Sequence, residues 1–252
     1  MSRIETFKQH IAERRAIKVI AGIDNFNIEN IKKVVCAAEQ ANASAVDVAY
    51  SEDIIRIARE LTTLPIMVSS IVPIELANAV ELGADAIEIG NFDALYKKGQ
   101  RISAEDVLNI VNETVRLLGN KETFISVTIP GHINVNEQIS LVRKLEELNI
   151  DLIQTEGSAT VSAQSAGARG LLETAQVSIA NTLELSRNTD IPVMTASGIT
   201  TTTAPLAFAA GASAIGVGSC VNKLDSTLGM IAVIRTLVED ASRNSNRTLL
   251  NV

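Results

Sequence analysis

Three charged residues stand inside short runs that are otherwise apolar, and their chemistry is the first feature to explain. Lys18 lies in AIKVIAG, Asp47 in AVDVA and Glu88 in DAIEIG. A charge within a buried strand has few favourable surroundings, so we expect these residues to serve a function or to pair with one another. An amine and carboxylates at one site perturb each other's pKa values, which suits catalytic proton transfer. The alternative is a structural ionic network inside the fold.

Two later runs supply further candidates for acid–base chemistry. Glu156 lies near the end of DLIQTEG, two residues after Gln154. His132 lies in TIPGHINV and could act as a general acid or base, with a surface-loop histidine as the alternative. A Schiff-base role for Lys18 would require a neutral amine. The catalytic candidates are therefore Lys18, Asp47, Glu88, Glu156 and His132.

Glycine-containing turns end two runs near the C-terminus. The first run ends in TASGI and the second in GVGS. Glycine lets an anion approach the backbone closely, and backbone N–H groups at such turns bind phosphate. Tight packing at the strand ends is the alternative. The candidate phosphate-binding residues are Ser197, Gly198, Gly216, Gly218 and Ser219.

The sequence limits the metals and cofactors that this site could hold. It contains two histidines and two cysteines, which excludes a multi-histidine metal centre and argues against a disulfide framework. No cofactor is evident, since Rossmann and Walker patterns are missing from the sequence. A Mg²⁺ ion held by Asp47 and Glu88 stays open, as does a phosphate-bearing cofactor such as a flavin.

Two loops are long enough to take part in binding. Residues 157–170 are rich in Ser, Ala and Gly, which is typical of a lid, and Arg169 could then reach an anionic ligand. A solvated, disordered loop is the alternative. Residues 91–101 form the second loop, which supplies Asn91, Asp93 and Tyr96.

Eight short runs rich in β-branched residues must position these side chains. Apolar residues at helical spacing lie between them, for example Ile28, Ile31, Val34 and Val35. Alternating strands and helices predict a (β/α)8 TIM barrel, an α/β fold whose sites lie at the C-terminal ends of the strands. An open doubly wound sheet is the alternative. The predicted strands span residues 16–22, 45–49, 65–70, 85–90, 123–129, 151–157, 191–197 and 213–219.

Residues 1–252 are predicted to form a single TIM-barrel domain. Ile4, Phe7 and Ile11 share one face of a short N-terminal helix within residues 1–15, which could cover the bottom of the barrel. The polar stretch over residues 242–252 could fray.

The composition excludes several classes of partner. A net charge of −7 argues against a nucleic-acid or anionic-membrane surface, and 3% aromatic residues without Trp argue against a stacking platform. No apolar run reaches the roughly 18 residues of a membrane span. The N-terminus has no apolar core of a signal peptide. We expect a protein of the cytoplasm, or of the plastid stroma if it is plastid-encoded.

Five segments carry a resemblance to a known family. They are KVIAGIDNFN (18–27), LPIMVSSIVP (64–73), ADAIEIGNFDALYKKG (84–99), IDLIQTEG (150–157) and TASGITTTTAPLAFAAGASAIGVGSCVNKL (195–224). On these segments the chain resembles the hypothetical-chloroplast-reading-frame family numbered twenty-three, of cyanobacteria and algal plastids. The resemblance implies an aldolase-type barrel that binds phosphate, and it implies no reaction or catalytic residue.

Two related activities do not match the sequence. The chain lacks the Asp-x-Lys-x-x-Asp array of the orotidine decarboxylase group, because its third strand reads PIMVSS. Gln154 stands on the sixth strand, where class I aldolases usually carry the Schiff-base lysine.

The leading hypothesis is an enzyme of the lyase or isomerase/epimerase type that acts by proton transfer on a small phosphorylated metabolite. In this hypothesis a carboxylate is the base and Lys18 stabilises developing charge. The alternative is a non-catalytic, phosphometabolite-binding or regulatory barrel in photosynthetic cells. A homodimer is expected only because such barrels commonly form one.

Overall fold

The computed structural model describes residues 2–96, 98–157 and 163–249, and these form a closed barrel of eight parallel strands. The (β/α)8 prediction is therefore confirmed. The strands are β1 (Ala16–Gly22), β2 (Ala45–Ala49), β3 (Ile66–Ser70), β4 (Ala86–Ile89), β5 (Phe124–Ile129), β6 (Leu152–Thr155), β7 (Val193–Thr195) and β8 (Ala214–Val217).

Helices alternate with these strands and surround the barrel. Hydrogen bonds between β1 and β8 close it. The helices are α1 (Arg3–Ala12), α2 (Ile28–Gln40), α3 (Glu52–Leu61), α4 (Pro73–Glu81), α5 (Asp93–Tyr96), α6 (Ala104–Leu118), α7 (Val135–Glu146), α8 (Gly167–Leu185), α9 (Ala204–Ala209), α10 (Ser219–Asn222) and α11 (Thr227–Leu249).

The last three strands end earlier than the sequence predicts. β6 ends at Thr155, so Glu156 follows the strand instead of belonging to it. Ser197 and Gly198 have φ angles of 71° and 76°, which lie outside the β region, and β7 ends before them. These residues therefore stand at the C-terminal mouth of the barrel.

Helix α1 covers the opposite, N-terminal end of the barrel, as the sequence predicts. The side chain of Ser2 accepts a hydrogen bond from Glu5 N–H and caps the helix. Phe7 is fully buried, and its ring centroid lies 5.6 Å from that of Phe124. It packs on a layer to which each strand contributes one side chain, namely Ala16, Ala45, Met67, Ala86, Phe124, Leu152, Met194 and Ala214.

A polar layer lies above this apolar one. Because side chains alternate along a strand, the next inward residue of each strand comes two positions later. Most of these residues are polar, and all are buried. They are Lys18, Asp47, Ser69, Glu88, Ser126, Gln154, Ala196 and Gly216.

Most of the polar C-terminal stretch belongs to helix α11, and its fraying stays a prediction. The helix includes residues 242–249, and residues 250–252 lie outside the described part of the chain. The assignment of residues 1–252 to one domain stays a prediction.

Candidate functional site

A cavity of about 950 Å³ opens at the C-terminal mouth of the barrel. Residues that end or follow β1, β4, β6, β7 and β8 line it. Glu156 and Gln154 border it on one side, and the turns after β7 and β8 border it on another. The parallel direction of the strands brings these distant segments together, because all eight C-terminal ends meet at one rim.

The turn after β7 is held by close contacts with neighbouring helices. A Cβ on Gly198 would lie 2.3 Å from the carbonyl oxygen of Thr174, so a side chain has no room there. Ser178 Oγ donates a hydrogen bond of 2.8 Å to the Ser197 carbonyl oxygen. Ser197 Oγ donates one of 2.5 Å to Asp93 Oδ2, which ties the turn to helix α5.

The turn after β8 runs into the short helix α10. A Cβ on Gly216 would lie 2.9 Å from Ile20 Cδ1, whereas one on Gly218 would make only ordinary contacts. Asn222 Nδ2 donates a hydrogen bond of 2.9 Å to the Ile20 carbonyl oxygen and joins α10 to β1. We call residues 197–198 and 216–219 the glycine turns.

All five candidate phosphate-binding residues border the cavity, and phosphate binding itself stays a prediction. Cys220 follows the second turn, and burial raises the pKa of its thiol to about 11. The thiol is therefore protonated at neutral pH, a state in which a cysteine is a poor nucleophile.

Glu156 is a buried carboxylic acid that borders the cavity. Its side chain is 2% exposed, and the hydroxyl of Tyr96 donates a hydrogen bond to it. Burial, with the nearby charge of Asp93, raises the pKa of Glu156 well above its ordinary value. Burial and the charge of Glu156 also raise the pKa of Tyr96, so its hydroxyl stays a donor. Such a carboxyl group can hold a proton at a pH where an exposed glutamate has lost it.

Lys18, Asp47 and Glu88 come together as predicted, but below the cavity and not at its mouth. Lys18 Nζ lies 2.9 Å from Asp47 Oδ2 and 2.9 Å from Glu88 Oε2. The third donor of the ammonium group points at Met67 Sδ, 3.3 Å away. Burial opposes the charge of Lys18, but the two carboxylates outweigh it and raise its pKa. The amine is therefore charged and fully bonded, so a Schiff-base role does not fit it.

This arrangement favours the structural ionic network over direct contact with a substrate. None of Lys18, Asp47 and Glu88 borders the cavity, and each is at most 1% exposed. The ammonium group also occupies the position between the two carboxylates that a Mg²⁺ ion would need. In the described part of the chain, no three His, Cys, Asp or Glu side chains are grouped so that they could hold a metal ion.

Two hydrogen-bonded chains join this ionic network to the cavity floor. Asn91 Nδ2 donates to Asp47 Oδ2 at 3.2 Å, and Gln154 Nε2 donates to Asn91 Oδ1 at 2.7 Å. Thr128 Oγ1 donates to Glu88 Oε1 at 2.7 Å and accepts from Gln154 Nε2 at 3.0 Å. Gln154 therefore ends both chains.

His132 lies apart from the cavity, on the loop that follows β5. Its ring meets the ring of Tyr96 edge-on, with 5.0 Å between the centroids. Burial and the charge of Arg101 lower its pKa. His132 is not among the residues that line the cavity, and its catalytic role stays a prediction.

The segment after β6 borders the cavity through Ser165, which precedes α8, and through Gly167 and Gly170 at the start of that helix. Residues 167–170 of the predicted loop are therefore helical. Glu173 Oε1 accepts a hydrogen bond of 2.7 Å from Ser165 Oγ and lies 3.3 Å from Arg169 Nε. Arg169 is therefore engaged by Glu173 on the outer surface. Part of the predicted lid, residues 158–162, lies outside the described residues.

Comparison with known proteins places the chain in a family. A model described as "Protein of unknown function (DUF561)" matches residues 1–247. The chain belongs to this family. It is 40% identical over 237 residues to the ycf23 protein of Cyanophora paradoxa. The match covers 94% of this chain and 95% of that protein. The ycf23 protein of Pyropia yezoensis is 36% identical over 222 residues, and the match covers 88% of this chain and 81% of that protein. The resemblance seen in the five segments is confirmed.

Solved structures share the fold of this family member at low sequence identity. One is the (S)-3-O-geranylgeranylglyceryl phosphate synthase of Thermoplasma acidophilum in complex with its substrate sn-glycerol-1-phosphate. It has a TM-score of 0.65 and 15% identity, and covers 96% of this chain and 98% of that one. Another is 3-hexulose-6-phosphate synthase, with a TM-score of 0.60, 13% identity and coverage of 89% and 98%. At these identities the likeness shows a shared fold alone.

Sequence reasoning missed two residues of the floor, Ser69 and Thr128. Ser69 Oγ donates to Asp47 Oδ1, and Thr128 Oγ1 bonds to Glu88. Both stand at inward positions of apolar strands, so the alternation that singled out the charged residues could have found them.

Within the described residues, no helix is long and apolar enough to cross a membrane.

Proposed function

We propose that the protein binds a small phosphorylated metabolite in the cavity and catalyses proton transfer on it, as a lyase or an isomerase or epimerase does. One observation carries the proposal: Glu156 and both glycine turns border the same cavity of about 950 Å³. A substrate bound by its phosphate at the turns would extend toward an ionisable carboxyl group. Such fixed geometry suits a reaction in which an anchored carbon gains and loses a proton.

The glycine turns are the proposed phosphate ligands. Gly198 and Gly218 have no side chain, so an anion can approach their backbone N–H groups, with the hydroxyl groups of Ser197 and Ser219 beside them. Loops after the seventh and eighth strands bind phosphate in many barrels of this fold. Two structures of the same fold are of proteins named for phosphorylated compounds, which supports this class of ligand.

Glu156 is the proposed general acid and base. Its raised pKa lets it hold a proton at a pH where an exposed glutamate has lost it, and exchange that proton with a substrate. Tyr96 orients the carboxyl group through its hydrogen bond. Because Lys18, Asp47 and Glu88 lie beneath the cavity, we assign them the positioning of its floor instead of contact with substrate.

The same proposal includes the place of action. Relatives occur in the algae Cyanophora paradoxa and Pyropia yezoensis, which supports the plastid stroma, or the cytoplasm of a cyanobacterium. Assembly as a homodimer stays a prediction.

Deuterium exchange tests the catalytic part of the proposal. The protein is incubated in D₂O with a panel of phosphorylated aldoses, ketoses and oxo acids, and proton NMR follows carbon-bound hydrogens next to carbonyl groups. We expect exchange in at least one compound and a loss of about a hundredfold or more in Glu156→Gln, since the acid–base group is removed.

Glu147→Gln is the control, because Glu147 is an exposed residue at the end of α7. It should exchange at the normal rate. Equal exchange in Glu156→Gln and the unmodified protein would contradict the role of Glu156. Binding of panel compounds without exchange or turnover would favour the non-catalytic, metabolite-binding barrel.

A further inference from the structure

The carboxamide oxygen of Gln154 is buried at the cavity and accepts no hydrogen bond within the described residues. The side chain is 1% exposed, and the residue lines the cavity. An amide oxygen in such a place costs free energy unless a donor reaches it. The unsatisfied oxygen therefore calls for a partner that enters from the cavity.

The first hydrogen-bonded chain fixes which way this amide points. Asp47 can only accept, so Asn91 must turn its NH₂ group toward the carboxylate and its oxygen toward Gln154. Gln154 must then present its own NH₂ group to Asn91 Oδ1, at 2.7 Å. The ammonium of Lys18, 2.9 Å from Asp47, anchors this order of donors and acceptors.

The second chain imposes the same orientation independently. Thr128 Oγ1 gives its only proton to Glu88, so it must accept from Gln154 Nε2, at 3.0 Å. Both protons of the Gln154 NH₂ group are thereby used. A rotation that exchanged nitrogen and oxygen would break both chains, so the oxygen stays toward the cavity.

Gly216 on β8 lies close to this oxygen, since a Cβ there would be 3.4 Å from Gln154 Oε1. Ile20 Cδ1 and Ala196 Cβ would lie within 3.0 Å of that Cβ, so a ligand group would reach the oxygen from the cavity that Gln154 and Gly216 both line. Gly218, in the proposed phosphate turn, follows β8 two residues after Gly216 and borders the same cavity. A ligand that reached from this turn to Gln154 would therefore need only a short carbon chain between its phosphate and the group at Gln154.

We propose that Gln154 determines specificity by accepting a hydrogen bond from a hydroxyl group of the phosphorylated ligand, at the end remote from the phosphate. The inference rests on the proposed phosphate site. A hydroxyl suits this acceptor better than an ammonium group, because a neutral amide does not offset the cost of burying a charge. The substrate class is accordingly a short phosphorylated polyol or hydroxy-carbonyl compound.

Calorimetric titration with two matched probes tests this inference. Glycerol phosphate and propyl phosphate share a phosphate and a three-carbon chain and differ in their hydroxyl groups, and inorganic phosphate is the reference. The unmodified protein should bind glycerol phosphate about tenfold or more tightly than propyl phosphate, the effect of one buried hydrogen bond. This comparison needs no variant.

Gln154→Met should bring that ratio close to one, because methionine has a similar volume and lacks the amide oxygen. Gln138→Met is the matched control. Gln138 is also 1% exposed with an unpartnered Oε1, but it lies on α7 and does not border the cavity. The control should keep the full ratio.

The outcomes separate the two proposals. A ratio near one in the unmodified protein, or a ratio that Gln154→Met leaves unchanged, overturns the role of Gln154 while phosphate binding stands. Failure of all three probes to bind overturns the phosphate site and this inference together.

Discussion

At the scale of single residues, depth within the barrel separates two kinds of charged group. Lys18 and its two carboxylates are sealed beneath the cavity and satisfy one another. Glu156 borders the cavity in surroundings that disfavour its charge. Removing one partner from a buried ionic network leaves an uncompensated charge, so loss of any one member of the first group should destabilise the fold, whereas Glu156 is the proposed acid–base group.

Glu156→Gln should make stability less dependent on pH. Because the folded state raises the pKa of Glu156, its favourable contribution is complete below about pH 4.5 and is lost as the pH rises toward the folded pKa. Urea unfolding should therefore show that Glu156→Gln gains stability over the unmodified protein as the pH rises above about 4.5.

Glu173→Gln is the control, for which we expect the opposite pH dependence of stability. Hydrogen bonds from Ser165 lower the pKa of Glu173, so its contribution is present at high pH and is lost as the pH falls. This variant should be less stable than the unmodified protein at neutral pH, and the gap should close in acid. A Glu156→Gln variant that behaved in the same way would contradict the pKa assigned to Glu156.

At the scale of elements, the glycine turns depend on backbone conformations that side chains rarely allow. The turn after β7 combines positive φ angles with a close approach of Gly198 to the carbonyl group of Thr174 on α8. This approach lets the helix pack directly under the turn. The turn after β8 has no residue with a positive φ angle, and its Gly216 packs closely against Ile20 on β1, whereas Gly218 would accept a Cβ with ordinary contacts.

Gly198→Ala should cost more stability than Gly83→Ala. Both glycines have positive φ, at +76° and +91°, but a Cβ on Gly83 meets nothing within 4 Å. The difference between the variants therefore isolates the overlap with Thr174, and we expect it to be about 1–3 kcal/mol. Chemical denaturation measures it, and equal losses would contradict the packing described for this turn.

At the scale of the whole molecule, the two ends of the barrel differ: apolar packing closes one end, and the cavity opens at the other. Helix α1 and one side chain from each strand form an apolar layer at the N-terminal end, and the cavity opens at the other end. The charged side chains of the polar layer between them are buried, so they add no charged surface at either end of the barrel. Changes at the bottom should therefore alter stability without altering ligand binding.

Phe7→Ala should lower the free energy of unfolding by about 3–5 kcal/mol, because it opens a cavity under the strands. Phe26→Ala is the control, since Phe26 is 61% exposed, and its change should stay within about 0.5 kcal/mol. Phosphate affinity of folded Phe7→Ala should be unchanged. A small loss of stability would contradict the role of α1 in closing the barrel.

Much of this organisation was predictable from the sequence. Short runs rich in β-branched residues predicted eight strands, apolar residues at helical spacing predicted the N-terminal helix, and glycine positions predicted turns that border the cavity. The depth of Lys18, Asp47 and Glu88 was not predictable. Alternation determines whether a side chain points into the barrel, but not how far along the barrel axis it lies. That position follows from the stagger between strands, in which Lys18 pairs with Ala45 and with Gly216.

The two hydrogen-bonded chains were not predictable from the sequence for the same reason. Asn91 lies after β4 and Gln154 on β6, and only the closed barrel brings their amides within 2.7 Å. Neither residue has a sequence pattern that distinguishes it from a turn or strand residue.

Titration of the protein with inorganic phosphate tests the central claim most directly, with Gly218→Ala and Gly229→Ala as matched variants. A Cβ on Gly218 makes only ordinary contacts, so the fold should tolerate it, but the methyl group would obstruct an anion at the turn. Gly229 lies on α11, away from the cavity. We predict measurable binding, weakened about tenfold or more by Gly218→Ala and unchanged by Gly229→Ala. Absence of phosphate binding, or equal affinity in Gly218→Ala, would contradict the account.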